Sequence, residues 1–292
     1  MQYSIDSSLV HKTSPDQVLL TTAENTAAGG WDLNVAVPPG HPLAGAIPTA
    51  STLLGVELMR QCAIAYAHVA AGVPLGWAFL MNELSFEWHG DSVPANAGEF
   101  DGRVSVRQRA VKMRKGQVSD LQLEADYLSG GLVVGSGSGD LSCLPTRAYQ
   151  AVRRNAPKTG VGNTGPLGAV LAGELRQAGT LDAVLVWNQG DRFIFDHPSD
   201  HVSGMLFASA VLESHRLLSG SQALGFSLQC ENFAEYNQPV HVMGTRVDQE
   251  NTLTTISQAG LAVASGFCGG PRLADAGATP DRQFHRQLSA AP

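Results

Sequence analysis

The sequence predicts an α+β protein made of two copies of one unit, each a long buried helix wrapped by an antiparallel sheet. Three observations carry this. The chain repeats itself internally. Each copy holds a helical segment that is apolar on nearly every face. Each helix is followed by three or four strand-like runs, and one helix followed by a meander is an α+β pattern.

The repeat is legible without gaps around each helix. His41-Pro42 aligns with His197-Pro198, Glu57 with Glu213 and Arg60 with Arg216, all at a separation of 156 residues. Phe79 and Phe86 then align with Phe226 and Phe233. Near each end, GLVVGSG (131–137) aligns with GLAVASG (260–266). The units are therefore expected at 1–155 and 156–292. The stretch 155–169 is rich in Gly, Pro and Thr and reads as a linker. The tail from Pro271 carries few large apolar side chains and is expected to be mobile.

The elements follow in order. Short strands are expected at Gln17–Thr21 and Ala183–Val186, with further extended stretches at Leu33–Val37 and Arg192–Phe195. Residues 51–71 contain no proline and one glycine, enough for about five helical turns. Residues 204–218 form the matching helix. The strands of the first unit are expected at about 78–88, 98–110, 117–128 and 131–143. Those of the second lie at about 224–234, 239–248, 251–258 and 260–268.

Composition narrows the function. The chain has 292 residues with 43% hydrophobic and 15% charged side chains, so a substantial core is available. Nineteen basic against 26 acidic residues give a net charge of −7, which argues against nucleic acid or anionic membrane as a partner. No run of about 18 apolar residues exists, and the start lacks a signal-peptide pattern. The four cysteines lie far apart with no C-x-x-C, so a cytoplasmic, reduced protein without a metal is expected. GSGSG (135–139) follows a strand but opens no helix, so it is discounted as a phosphate loop.

The polar groups on the apolar helix are the candidate chemistry. Glu57 and Arg60 are three apart and share a face, with Gln61 beside them. Buried charges need partners. The pair either lines a pocket, with Glu57 as acid/base and Arg60 as an anion site, or is a structural ion pair. Glu213 and Arg216 repeat the spacing. His197 and His201, in DHPSDH with Asp196 and Asp200, read either as turn residues or as pocket-lining catalytic groups. The proline between them breaks helical H-x-x-x-H spacing. The cluster Arg107, Arg109, Lys112, Arg114 and Lys115 is either a solvated hairpin end or a docking patch for an acidic partner.

These residues carry a resemblance. FIFDHPSDHVSGML (193–206) resembles the signature of the A-factor biosynthesis hotdog family, close to F-D-H-P-x-D-H-V-P-G-M. VHKTSPDQVLL (10–20) is similar to that family's opening V-H-K/R…V-x-L. GVELMRQCAIAYAHVAAGVPLGWAFLM (55–81) is similar to its E-x-x-R-Q…A-H…G-V-P-L-G…F-L-M stretch. The similarity spans about 10–270.

The resemblance implies a tandem (double) hotdog fold. It also implies an acyltransferase/condensing activity in secondary metabolism. Members are thought to join a β-ketoacyl thioester, on acyl carrier protein or CoA, to dihydroxyacetone phosphate, on the way to butenolide or γ-butyrolactone signals. No cofactor is required. The first-half motif is intact as Glu57, Arg60 and Gln61. The second half departs: Ser209 stands where Glu is expected, Leu212 where Arg is expected and Ser203 where Pro is expected. Two registers therefore compete. One puts Ser209 opposite Glu57, and the internal repeat puts Glu213 there.

On this reading Glu57, Arg60, His197, His201, Glu213 and Arg216 are the candidate catalytic residues. Gln61, Asp200, Gly204 and Ser209 are the candidate substrate-binding ones. A helix N-terminus near Ser51-Thr52 or Gly204-Met205 would supply N–H groups to the thioester oxygen. A hotdog dehydratase, isomerase or thioesterase, and a non-catalytic acyl-ligand binder, are the alternatives. Either a monomer or a homodimer is compatible with two units in one chain.

Overall fold

The computed structural model describes residues 2–27, 29–44, 50–90, 100–157 and 162–270. The expected linker lies partly, and the expected tail wholly, outside them. The described strands are β1 (Gln2–Ser4), β2 (Leu20–Asn25), β3 (Trp31–Val35), β4 (Ala78–Trp88), β5 (Gly102–Arg114), β6 (Gln117–Ser129) and β7 (Leu132–Leu144). They continue as β8 (Leu171–Gln177), β9 (Thr180–Leu185), β10 (Gly225–Cys230), β11 (His241–Arg246), β12 (Thr252–Gln258) and β13 (Leu261–Gly269). The helices are α1 (Ala50–Val69), α2 (Thr146–Val152) and α3 (Gly204–Ser219), with short 3₁₀ turns at Ser7–Val10, Pro15–Gln17 and Pro42–Ala44.

All thirteen strands join one sheet in the order β1-β2-β3-β5-β6-β7-β4-β10-β13-β12-β11-β9-β8. Read outward from the centre, both halves have the same order. β4 and β10 pair antiparallel, with Phe86 opposite Phe226, and fuse the two half-sheets. The tandem hotdog layout is thus present as expected. The equivalent hairpins β6–β7 and β12–β13 turn through Gly130-Gly131 (φ 57° and 83°) and Ala259-Gly260 (φ 50° and 82°). Two successive positive φ values form a tight turn that matches strand twist.

From Leu53 to Ala67 every side chain of α1 is buried except Arg60, which is partly exposed. The glycines of β7 explain how α1 gets so close to the sheet. A Cβ on Gly137 would lie 3.3 Å from Met59 Sδ, and α1's own Gly55 would drive a Cβ into the Phe86 ring. The GSGSG run is therefore a packing stripe. α3 starts at Ser203, whose Oγ accepts the Leu206 N–H at 3.2 Å, so the serine that replaces the family proline caps the helix. Gly220 ends it in the left-handed region.

Three sequence expectations need correction. Arg192–Phe195 is not extended, because Asp191 Oδ1 accepts the N–H groups of Phe193 and Ile194 and turns the chain. The partner of β9 is β8 instead. Phe86 does not match Phe233. Phe86 faces Gly137 in the β4–β7 ladder, and the residue facing the equivalent Gly266 is Leu228. The helix register shifts too. A Cβ on Gly266 would meet Val211 where Gly137 meets Met59. Val211 is thus the counterpart of Met59, which puts Ser209 opposite Glu57, Leu212 opposite Arg60 and Glu213 opposite Gln61. The ungapped repeat was off by one helical turn.

Candidate active site

A cavity of about 420 Å³ opens between the two halves. The first half contributes His11 and Lys12 after the first 3₁₀ turn, Arg60 and Ile64 of α1, and Phe79 to Asn82 of β4. The second contributes Phe193, Ile194, His197, the segment Ser199 to Met205 without Asp200, Phe207, and the stretch Cys230 to Phe233 after β10. Most of the lining is apolar. Neither half contains the cavity alone.

The first-half wall is built on Glu57, which is fully buried. Its carboxylate accepts from Arg60 Nε at 2.8 Å, Arg60 Nη2 at 2.9 Å and Gln61 Nε2 at 2.8 Å. Lys12 Nζ approaches it at 3.2 Å. Burial alone would raise its pKa, but the charges of Arg60 and Lys12 and these hydrogen bonds outweigh burial and hold it far below the carboxylate range. Glu57 is thus locked as an anion, a poor proton acceptor, and it does not reach the cavity. Its role is to hold two cations at the wall. Gln61 is also sealed away: it accepts from Leu19 N at 2.9 Å and donates to Gln17 O at 2.9 Å, pinning the N-terminal segment to α1. Neither Glu57 as base nor Gln61 as substrate ligand fits this geometry.

Lys12 and His11 carried no role in the sequence reading, although both stand in the V-H-K motif. Lys12 is buried, donates to Phe193 O at 3.5 Å and lies 5.4 Å from the Phe193 ring centroid. Burial lowers its pKa while Glu57 opposes the shift. The second half is stitched on beside it. Asp196 accepts the N–H groups of Thr13 and Ser14, and Arg192 pairs with Asp16. His197 therefore lies on the same cationic wall, and burial followed by the charges of Arg60 and Lys12 pushes its pKa down.

The opposite wall is centred on His201. Its Nδ1 lies 2.7 Å from Asp200 Oδ1. Tyr149 of α2 donates to the same oxygen at 2.6 Å, and Arg153 Nε donates to Asp200 Oδ2 at 3.1 Å. Arg153 also grips Glu235 at 2.6 and 2.9 Å and stacks over Phe233. Burial works to raise the Asp200 pKa, but these donors overcome it and bring the pKa to about 2. An ionised Asp200 can only accept, so the proton sits on His201 Nδ1 and Nε2 keeps the lone pair. Asp200 orients His201 and does not line the cavity. α2, Tyr149 and Arg153 had no signature in the sequence.

The first residues of α3 form the third side. Gly204 and Met205 line the cavity, and helix starts carry N–H groups without intrahelical partners. A Cβ on Gly204 would come 2.5 Å from Met81 Cε, the far end of a side chain that lines the same cavity. Among the described residues, none at the start of α1 lines the cavity; Thr52 is buried and its hydroxyl donates to Ala223 O.

Ser209, Glu213 and Arg216 fall away as candidates. Ser209 is buried and donates to Met205 O at 2.9 Å within its own helix. Glu213 and Arg216 pair at 2.6 Å, with side-chain exposures of 25% and 37%, and neither lines the cavity. His41 is buried and its Nδ1 accepts the Leu43 N–H at 3.1 Å, so it shapes the turn before α1.

Residues 1–145 match a family model described as the A-factor biosynthesis hotdog domain. The chain is 26% identical over 271 residues to a 2-oxo-3-(phosphooxy)propyl 3-oxoalkanoate synthase of Streptomyces coelicolor, covering 86% of this chain and 85% of that protein. It is 24% identical over 287 residues to a synthase of the same name from Streptomyces griseus, covering 90% and 94%. Among solved structures it is similar to an acyl-ACP thioesterase from Bacteroides thetaiotaomicron. The TM-score is 0.51 at 8% identity, over 82% of this chain and 96% of that one, a likeness of fold.

Proposed function

Because the chain belongs to the A-factor biosynthesis hotdog family, we propose that it transfers a 3-oxoacyl group from a thioester to the hydroxyl of dihydroxyacetone phosphate. The product is the phosphorylated open-chain ester, from which a butenolide forms by ring-closing condensation. The two-unit division at 155/156 belongs to the same reading. One observation supports it above the others: a mostly apolar cavity with a buried lysine and a partly exposed arginine on one wall and a helix N-terminus on another.

Each part answers one need of the reaction. The apolar lining takes the acyl chain. Arg60 and Lys12, with His197 beside them, take the phosphate, where a charge-assisted contact is strongest. The N–H groups at the start of α3 stabilise the oxyanion that develops on the thioester carbonyl. The sulfur departs as a thiolate that takes its proton from solvent, and the proton of the attacking hydroxyl goes to a neutral cavity imidazole, since Glu57 is locked in its ion pairs.

The thioester arrives on an acyl carrier protein. On the β5–β6 hairpin, Arg107 and Arg109 are paired with Asp126 and Glu124. Lys112, Arg114 and Lys115 are exposed around its tip and, among the described residues, have no ion-pair partner. These three charges suit an acidic acyl carrier protein. Reversing them is expected to raise KM for a carrier-bound thioester and leave the CoA thioester unaffected.

The test is mass spectrometry of the protein with a 3-oxoacyl thioester, with and without dihydroxyacetone phosphate, beside Arg60→Gln. An ester that requires both substrates is expected, with the acceptor KM raised about tenfold or more in the variant. Free acid released regardless of acceptor would make the protein a thioesterase. An unchanged thioester across several chain lengths would overturn the transferase reading.

A further inference from the structure

A pair of histidines stands beside the cationic wall. His68 Nδ1 lies 2.7 Å from the Val73 carbonyl oxygen, and His68 Nε2 lies 3.1 Å from His11 Nε2. A carbonyl can only accept, so the proton of neutral His68 sits on Nδ1 and its Nε2 offers a lone pair. His11 must then donate from Nε2. Its own lone pair is fixed on Nδ1, and among the described residues nothing hydrogen-bonds to that atom. The ring that carries it lines the cavity.

The backbone holds His11 there. It closes the first 3₁₀ turn with φ 53°, a left-handed conformation that few non-glycine residues adopt. Its ring packs 5.0 Å from Phe79 and 5.2 Å from His68, centroid to centroid. Val73, His68 and His11 thus form a relay in which every proton position is set.

We propose that His11 takes the proton of the acceptor hydroxyl during acyl transfer, and that the acceptor's own phosphate, seated on Arg60 and Lys12, activates it. This rests on the transferase reading above. The titratable and charged groups that act on His11 are His68 and Arg60 of α1 and His197 of the opposite loop. The nearby carboxylates, Glu57 and Asp196, are already engaged by Arg60 and Lys12 and by the N–H groups of Thr13 and Ser14. Burial, the largest cause, together with the nearby Arg60 charge pushes the empty-site pKa of His11 down to about 4, which makes a weak base. A phosphate dianion seated on Arg60 offsets that charge, though not the burial, and so raises the basicity of His11. A neutral acceptor leaves the base weak. The same contact therefore serves binding and selection.

The step balances. The hydroxyl proton moves to His11 Nδ1 as its oxygen bonds the thioester carbon. The carbon–sulfur bond then breaks, and the thiolate takes a proton from solvent. Solvent removes the proton from His11 and restores the resting state. His11 is the catalytic residue and His68 a positioning residue.

Four measurements test this on the full chain. His11→Asn tolerates the left-handed backbone and His11→Gln keeps an N–H toward His68, while neither has a basic nitrogen. Both are expected to lower kcat by about 10²–10⁴-fold, with dihydroxyacetone phosphate binding by calorimetry within threefold of wild type. In wild type, the acid limb of the pH profile should lie at higher pH in kcat than in kcat/KM for the acceptor. His68→Gln should move that limb. Dihydroxyacetone should be a slow acceptor that added phosphite dianion accelerates tenfold or more in wild type and not in His11→Gln.

A His11 variant that keeps a tenth of wild-type kcat overturns the catalytic role. Coincident limbs, an unmoved limb in His68→Gln, or no phosphite effect overturns activation by phosphate. Ester formed at full rate by the His11 variants sinks this inference alone. No ester from wild type sinks the transferase reading with it.

Discussion

Arg60 Nε sits 2.8 Å from Glu57 Oε2, yet only the arginine reaches the cavity. The carboxylate is fully buried and the guanidinium is not. The pair is one charged device, with an inner end that anchors and an outer end that lines the cavity. Its second-half counterpart, Ser209 and Leu212, carries no charge.

Glu57→Gln leaves the buried Lys12 and the partly exposed Arg60 without their anion. Breaking a buried pair in this way costs about 3–5 kcal/mol. Denaturant unfolding should show that loss. The Arg60-dependent acceptor KM should rise in whatever fraction remains folded. A variant with wild-type stability would contradict the buried geometry.

Glu213→Ala and Arg216→Ala should each leave kcat/KM within about twofold of wild type. The pair is partly solvated and away from the cavity, and such pairs are worth roughly 0–1 kcal/mol. Substrate kinetics of the two variants decide the matter. A loss of a hundredfold in either would restore the ungapped repeat register.

Gly204→Ala should bring a methyl group against Met81 Cε, the far end of a flexible side chain that lines the cavity. The fold should survive, and the acyl pocket should narrow. A panel of thioesters is expected to show preference moving to shorter chains. Gly55→Ala has no such relief, because its Cβ would meet the Phe86 ring at 2.2 Å. Overpacking there should cost about 1–3 kcal/mol or more.

Acid should destabilise the fold through buried neutral histidines. Burial, as the largest cause, lowers His11, His41 and His215 to about 4 from 6.5. The unfolded chain therefore binds more protons between these values, and stability falls as pH drops from about 6.5 to about 4. Each such histidine contributes at most about 1.4 kcal/mol per pH unit inside that window. Unfolding curves at several pH values should show a shallower slope for His41→Asn, whose amide oxygen can still accept the Leu43 N–H. An unchanged slope would mean His41 titrates alike in both states.

Much of the architecture was legible because it follows from local pattern. The unbroken apolar segment before β4 required a buried helix, and GLVVGSG and GLAVASG opened equivalent strands because each follows a positive-φ turn. The family motifs pointed to the right loops: V-H-K, E-x-x-R-Q and D-H-P-S-D-H all reach the cavity or its support. The matching of α1 with α3 was not legible. An apolar helix slid by one turn still reads as apolar, so Glu213 looked like Glu57 until Gly137 and Gly266 fixed which side chains pack against the sheet.

The sequence by itself determined the duplication, the two buried helices and the stock of charged and imidazole groups near them. Those depend on composition and spacing along the chain. Only the tertiary structure decided which groups meet. Lys12 joins Glu57 because the N-terminal turn folds over α1, and Arg153 reaches Asp200 because α2 crosses to the second half. Glu57 became an anchor and His11 a candidate base for one reason. Burial and neighbouring charge set what an ionisable group can do, and neither is written in the order of residues.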